Sequence, residues 1–187
     1  MEENLVEAAL SKLKSVKSGE MICLKEYFKG QNETDYEKIC KRLYEIANEE
    51  GIYLEEIGYK EMPFAGAAIV KRKVKDPFYC KENCTSIYYK AGGYMSCLPN
   101  IESNIFKRNV PKEAWEEITN SIFDSAKVLD WFDSYIDHGI LDGDYWELRL
   151  RFKNHKVLRF FGSNASPESL SKVEQTVLPY NSAFGYI

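Results

Sequence analysis

The sequence predicts an α+β protein built from two units, residues 1–75 and residues 76–187. Three observations predict it. The first 75 residues read in the order helix, short strand, helix, helix, strand, strand. Farther on, Trp146, Leu148, Leu150 and Phe152 alternate with Glu147, Arg149 and Arg151, the period-2 pattern of a half-buried strand. Between the units lies KRKVKDP, residues 71–77, a charged run ending at proline that reads as a hinge.

In the first unit, Leu5, Ala8, Ala9, Leu13 and Val16 fall at helical spacing and predict a helix over 4–16, ended by Ser18-Gly19. Met21 to Leu24 is a short apolar run, and Leu24 to Phe28 predicts a brief helix that stops at Gly30. Thr34 reads as the cap of the next helix, with Asp35 and Glu37 complementing the dipole of its first turn. Tyr36, Ile39, Cys40, Leu43, Ile46 and Ala47 form its apolar stripe, and Gly51 closes it. Two strand-like runs, Ile52–Tyr59 and Ala67–Val74, flank a loop holding Pro63 and Gly66. This is the layout of a winged helix, with 34–50 in the recognition-helix position and 60–72 as the wing.

In the second unit, Thr85–Lys90 and Tyr94–Leu98 flank Ala91-Gly92-Gly93 as an expected hairpin. Pro111 opens a helix reaching about Phe123, with Trp115, Ile118, Ile122 and Phe123 on one side. A further helix is expected over Ala126–Ile136, broken by Gly139. The Tyr145–Phe152 strand and the Val157–Phe161 run form an antiparallel hairpin across Lys153-Asn154-His155. Ser166 and Pro167 then read as N-cap and first position of a helix carrying Leu170, Val173 and Val177.

Composition narrows the classes. Hydrophobic residues at 44% and aromatic residues at 14% are ample for packed cores, and no apolar run approaches the roughly 18 residues a membrane helix needs. The acidic, amphipathic start does not fit a secretory signal, so a cytoplasmic location is expected and its five cysteines are expected to be reduced thiols. A net charge of −4 argues against a general nucleic-acid coat while permitting a local basic patch.

The clearest basic patch is Lys60, Lys71, Arg72, Lys73 and Lys75 on the expected wing and its exit, positions from which such side chains contact phosphate without reading sequence. Lys41 and Arg42 add charge to the expected recognition helix, but Asp35, Glu37, Glu45, Glu49 and Glu50 offset them there. In the second unit Asp133, Asp137, Asp142 and Asp144 make an acidic stretch that reads as solvated turn residues or as a partner-docking patch. Ser163 and Asn164, in the Gly-Ser-Asn loop before the last helix, read either as an anion site or as a connector. In the connector reading Gly162 takes a positive φ and Asn164 closes an Asx turn.

Cys80, Cys84 and Cys97 are three soft ligands for zinc without a fourth nearby, since His138 and His155 lie far along the chain. No cofactor is expected. The chain also lacks a Gly-x-Ser-x-Gly, a phosphate-binding Gly-x4-Gly-Lys-Ser/Thr and a His-Glu-x2-His motif, which makes a binding protein the expectation over an enzyme.

Gly19, Glu20, Leu24, Lys25, Glu26, Tyr27, Phe28, Lys29 and Gly30, within a similarity over residues 5–73, resemble the recurring core of a small family of uncharacterised bacterial and phage proteins. The Trp-containing turn that often comes next in that family is replaced by Gln31-Asn32-Glu33. The later WELRLRF and GSNASP segments resemble a recurring element in uncharacterised proteins of gut Firmicutes and their mobile elements. With the missing catalytic motifs, these resemblances imply a non-catalytic binding protein of a phage or mobile element. It would act on a host protein or nucleoprotein, such as a CRISPR effector nuclease that it inhibits. A winged-helix regulator bound to double-stranded DNA is the alternative, and a zinc-stabilised module or small enzyme is the third.

Overall fold

A computed structural model describes residues 2–57, 67–93, 100–137, 139–140 and 143–181. The fold is α+β, with largely antiparallel sheets in two compact units, Met1–Lys73 and Val74–Ile187. The boundary falls two residues before the position expected from the sequence.

The first unit runs α1 (Glu2–Ser15), β1 (Met21–Cys23), α2 (Leu24–Tyr27), α3 (Glu33–Glu49), β2 (Ile52–Ile57) and β3 (Ala67–Arg72). Its sheet has the order β1-β3-β2, antiparallel throughout, so the last strand lies in the middle. The buried face of α1 is Val6, Ala9, Leu10 and Leu13, whereas Ala8 of the expected stripe is exposed. On α3 the expected stripe holds, with Tyr36, Ile39, Cys40, Leu43 and Ala47 buried and Ile46 at the rim. Leu13 and Leu43 are fully buried in the shared core, a class of burial that stabilises by about 1.5–3 kcal/mol per side chain.

The cap of α3 is Asn32, not Thr34. Its side-chain oxygen accepts the backbone N–H of Asp35 at 2.9 Å, satisfying one of the unpaired donors of the first turn. Asparagine reaches that N–H from one position before the helix, which then starts at Glu33 and leaves Thr34 inside it. Gly30 and Gly51 take φ of 89° and 80°, left-handed values that let the chain turn at the ends of α2 and α3.

The second unit contains β4 (Cys84–Gly93), β5 (Ile101–Phe106), α4 (Lys112–Thr119), β6 (Ser134–Ile136), β7 (Asp144–Phe152), β8 (Val157–Ser163) and α5 (Leu170–Val177). The five strands are ordered β5-β4-β7-β8-β6, and only the β6–β8 pairing is parallel. One face of the sheet supplies Ile87, Tyr89, Trp146, Leu148, Leu150, Phe152 and Phe160 to a single core. Trp115, Ile118, Ile122, Phe123, Leu170, Val173 and Val177 of the helical segments share that core. The Trp146–Phe152 alternation is thus buried as expected, with Lys153–His155 forming the turn. Asn154 and His155 both sit at positive φ, 59° and 61°, as hairpin twist requires.

Four expectations fail here. Residues 126–136 are not a helix. Lys127 turns left-handed at φ 51°, only the 3-10 turn Val128–Asp130 comes after it, and Ser134–Ile136 pairs with β8. The indole N–H of Trp131 folds back onto the carbonyl of Ala126 at 3.0 Å, which fixes this stop. Next, Ala91-Gly92-Gly93 is not a turn but the end of β4, paired with Asp144–Trp146. The other arm of that hairpin, Tyr94–Leu98, lies outside the described residues, and the strand pairing with β4 beyond them is β5.

Third, α5 begins at Leu170 rather than after Ser166, because Pro167 and Leu170 close a turn first. Last, Gly162 lacks positive φ. It is needed instead for close approach, since a Cβ there would collide with the Trp146 indole nitrogen and the Ala165 carbonyl oxygen.

Gly162→Ala is therefore expected to destabilise the second unit by about 1–3 kcal/mol, the usual cost of overpacking. Asn32→Ala should cost the protein about 1 kcal/mol through the lost cap. Urea unfolding monitored by circular dichroism and tryptophan fluorescence checks both.

Candidate functional site

The first unit was expected to present a basic wing. Lys60 lies outside the described residues, as does the whole β2–β3 connection. Of the four described cations of β3 and its exit, Lys71, Arg72 and Lys73 are each engaged within the unit. Lys71 is buried, and its ammonium meets the Glu55 carboxylate on the neighbouring strand at 2.6 Å. Arg72 donates to the carbonyls of Leu13 and Val16, at 3.1 and 2.7 Å, and so satisfies acceptors at the end of α1. Lys73 lies over the ring of Tyr53, 5.2 Å from its centroid, and its N–H donates to Gly51. Lys75, exposed, belongs to the second unit. The cluster expected to face phosphate is thus largely turned to holding strand to strand and strand to helix.

On α3, Lys41 and Arg42 are exposed, and Arg42 pairs with Glu45 at 3.1 Å. The solvent side of this helix also carries Asp35, Glu37, Lys38 and Glu49. Beside it, α1 and α3 enclose a groove of about 480 Å³ lined by Val6 and Ile46, with Glu3, Glu7 and Arg42 around them. Sequence reasoning missed this groove. Its signal was faint: Glu3 and Glu7 lie one turn apart and flank the position of Val6 on the apolar stripe.

In the second unit a cavity of about 470 Å³ lies against the ends of β4 and β7 and the β8–α5 loop. Trp146, Ile101 and Leu170 supply apolar wall, and Asp144, Asn164 and Glu174 supply polar groups. Glu174 accepts the hydroxyl of fully buried Tyr89 at 2.7 Å, and burial, reinforced by that carboxylate, holds the phenol protonated. Glu174 was not anticipated; only its place one turn after Leu170 on an amphipathic helix marked it.

The expected partner-binding residues separate. Asp144 and Asn164 meet at the cavity, joined by the Asn164 N–H to the Asp144 carbonyl at 2.8 Å. Asp137 caps its own turn by accepting the N–H of Gly139 at 2.8 Å. Asp133 uses its backbone carbonyl to accept from Phe161, and Ser163 its own to accept from Asp137. Asp142 lies outside the described residues.

The Gly-Ser-Asn loop is tied into the unit by its own polar groups. Asn164 takes a left-handed φ of 56°, and its amide nitrogen donates to the Ile140 carbonyl at 3.3 Å. The indole N–H of Trp146 reaches the Ala165 carbonyl at 2.9 Å, so this loop presents acceptors as well as donors.

Among the described residues no three His, Cys, Asp or Glu converge on one point, and Cys97, the third thiol of the zinc trio, lies outside them. Cys84 is fully buried in the core, and burial pushes its thiol up to about 12. A ligand thiolate needs the opposite environment. Cys80 is half-buried nearby in sequence, and Cys97 and His138 lie outside the described residues. Among the described residues no helix is long and apolar enough to cross a membrane.

No protein-family model, curated protein or solved structure matches this chain.

Arg72→Ala should cost about 1.5–3 kcal/mol, the range for hydrogen bonds to charged groups, while Lys41→Ala/Arg42→Ala should stay within about 0.5 kcal/mol. Chemical denaturation midpoints separate the two. Cys84 should resist alkylation at pH 8 in the native protein and become labelled in urea, as read by mass spectrometry of its peptide.

Proposed function

We propose that this chain is a non-catalytic binding protein whose first unit is a winged helix that docks on a protein, or on the protein part of a nucleoprotein, through α3 and the groove beside it. The element order helix, strand, helix, helix, strand, strand and the sheet order β1-β3-β2 support the winged-helix reading. The observation that carries the choice of partner is the groove itself. An apolar wall bordered by Glu3 and Glu7, with the Arg42 guanidinium beside them already paired to Glu45, is net acidic at its rim, repels a phosphate backbone and accepts an apolar or basic side chain. The engagement of Lys71 with Glu55 and of Arg72 with α1 points the same way.

The resemblance to phage and mobile-element segments supports a host defence nucleoprotein as the partner, with inhibition of a CRISPR effector nuclease as the specific form. In that reading the purified chain, in molar excess, slows effector cleavage, and Glu3→Lys/Glu7→Lys relieves the inhibition while leaving the fold intact by circular dichroism. Unchanged cleavage at full excess removes the defence-nuclease form.

The winged-helix layout itself favours a second reading, a double-stranded DNA regulator. Its mark is duplex affinity that falls steeply with salt and with Lys41→Ala/Arg42→Ala. Fluorescence anisotropy on a labelled duplex at two salt concentrations decides between the readings.

A further inference from the structure

We propose that the helix-free face of the five-stranded sheet in the second unit binds single-stranded nucleic acid. The inference does not rest on the docking role of α3, which belongs to the other unit.

Strand register defines this face. All of the unit's core-forming helical side chains pack on the side of Ile87, Tyr89, Leu148 and Leu150. The alternate residues point the other way. One row across the sheet is Asn104, Tyr88, Arg149 and Arg159; the next is Glu102, Lys90, Glu147 and Phe161. Arg151 lies in the row on one flank, and Tyr145 in the row on the other. Among the described residues no helix of the unit covers these rows.

Cations and rings are interleaved here in contact pairs. The Arg149 guanidinium lies 4.9 Å from the centroid of the Tyr88 ring, Arg159 lies 5.0 Å from Phe161, and Lys90 lies 5.9 Å from Tyr145. Glu147 sits between the two arginines, hydrogen-bonded to Arg149 at 2.7 and 2.8 Å and to Arg159. Those guanidiniums hold its carboxyl below the usual carboxylate range. Its side chain is 15% exposed, against 49% and 60% for Arg149 and Arg159, so the carboxylate is sunk between cations that stand in water. It bridges and orients both. Arg151 is exposed and forms no ion pair among the described residues.

An overall acidic chain therefore concentrates Lys90, Arg149, Arg151 and Arg159 on one face against Glu102 and Glu147. A sheet face that offers rings for stacking and guanidiniums for phosphate matches the two needs of an unpaired strand, whose bases expose their faces. A duplex keeps its base faces stacked and has no use for the rings. A negatively charged protein would use the cations but leave the cation–ring pairing without a role.

The test is fluorescence anisotropy of the full chain with a labelled single-stranded oligonucleotide of about 15 nucleotides, a length in the range such platforms cover. With the four cations on phosphate, affinity should fall about 50-fold between about 50 and about 200 mM salt. Arg151→Ala/Arg159→Ala should reduce that to about sevenfold by removing two contacts. Tyr88→Leu, which keeps apolar bulk but loses the ring, should weaken binding at both salts with the salt dependence intact.

Circular dichroism confirms that each variant is folded. Absence of binding at the lower salt overturns the proposal, as does binding indifferent to these three substitutions. Equal affinity for a duplex also overturns it, and loss of binding in Lys41→Ala/Arg42→Ala instead would assign the nucleic acid to the first unit.

Discussion

The second unit depends on the packing of Trp146 against a residue that has no side chain. The indole lies where the Cβ of Gly162 would be and reaches past it to the carbonyl of Ala165. It also meets Trp131 edge-on at 6.0 Å and tilts against Tyr135 at the same distance. That one ring thereby ties β7 to β8, to the segment leading into β6 and to the loop before α5. Trp131 in turn donates to Ala126 and to Ser169, and Ser169 donates to the same Ala126 carbonyl. Each indole N–H thus has an acceptor, as burial of such a group demands. The approach of β6 as a parallel strand comes from this cluster rather than from any pattern within Ser134–Ile136.

The first unit is organised by charge placement as much as by apolar burial. Arg72, at the end of the central strand, reaches backbone carbonyls at the far end of α1, and Lys71 beside it is closed against Glu55. A run of cations in a sequence looks like a ligand surface because charge is usually solvated. In a central strand those side chains point to opposite faces, and here each face holds an acceptor. The groove between α1 and α3 has a different character, an apolar wall of Val6 and Ile46 with Glu3, Glu7 and Arg42 around it.

The legible parts were those that local rules determine. The alternation in β7, the stripe on α3 and the glycines ending α2 and α3 all carry a period or a backbone constraint within a few residues. The misread parts depend on partners distant in sequence. Ser166 and Pro167 form a good helix start in isolation, but the turn to Leu170 and the bond from Ser169 to Ala126 displace the start. Gly92 and Gly93 look like a turn, yet β7 pairs along them and extends the strand. The sites divide in the same way. That Lys71 and Arg72 are cationic was readable, whereas the location of Glu55 and of the α1 carbonyls was not. The rows joining Tyr88, Arg149 and Arg159 could not be read at all, because they exist only once the register of three strands is known.

The turn after α4 has a consequence for comparing this chain with others. Asn120–Ser125 is π-helical, and the Ala126 N–H donates five residues back to Ser121 at 2.8 Å. Such a turn holds one more residue than an α-helical one and rotates the downstream chain by about 100° about the axis. It lets the adjacent Ile122 and Phe123 both face the core. A homologue shorter by one residue here would have an ordinary helix and the same downstream fold, so an alignment gap belongs inside Asn120–Ser125 and not in the loops on either side.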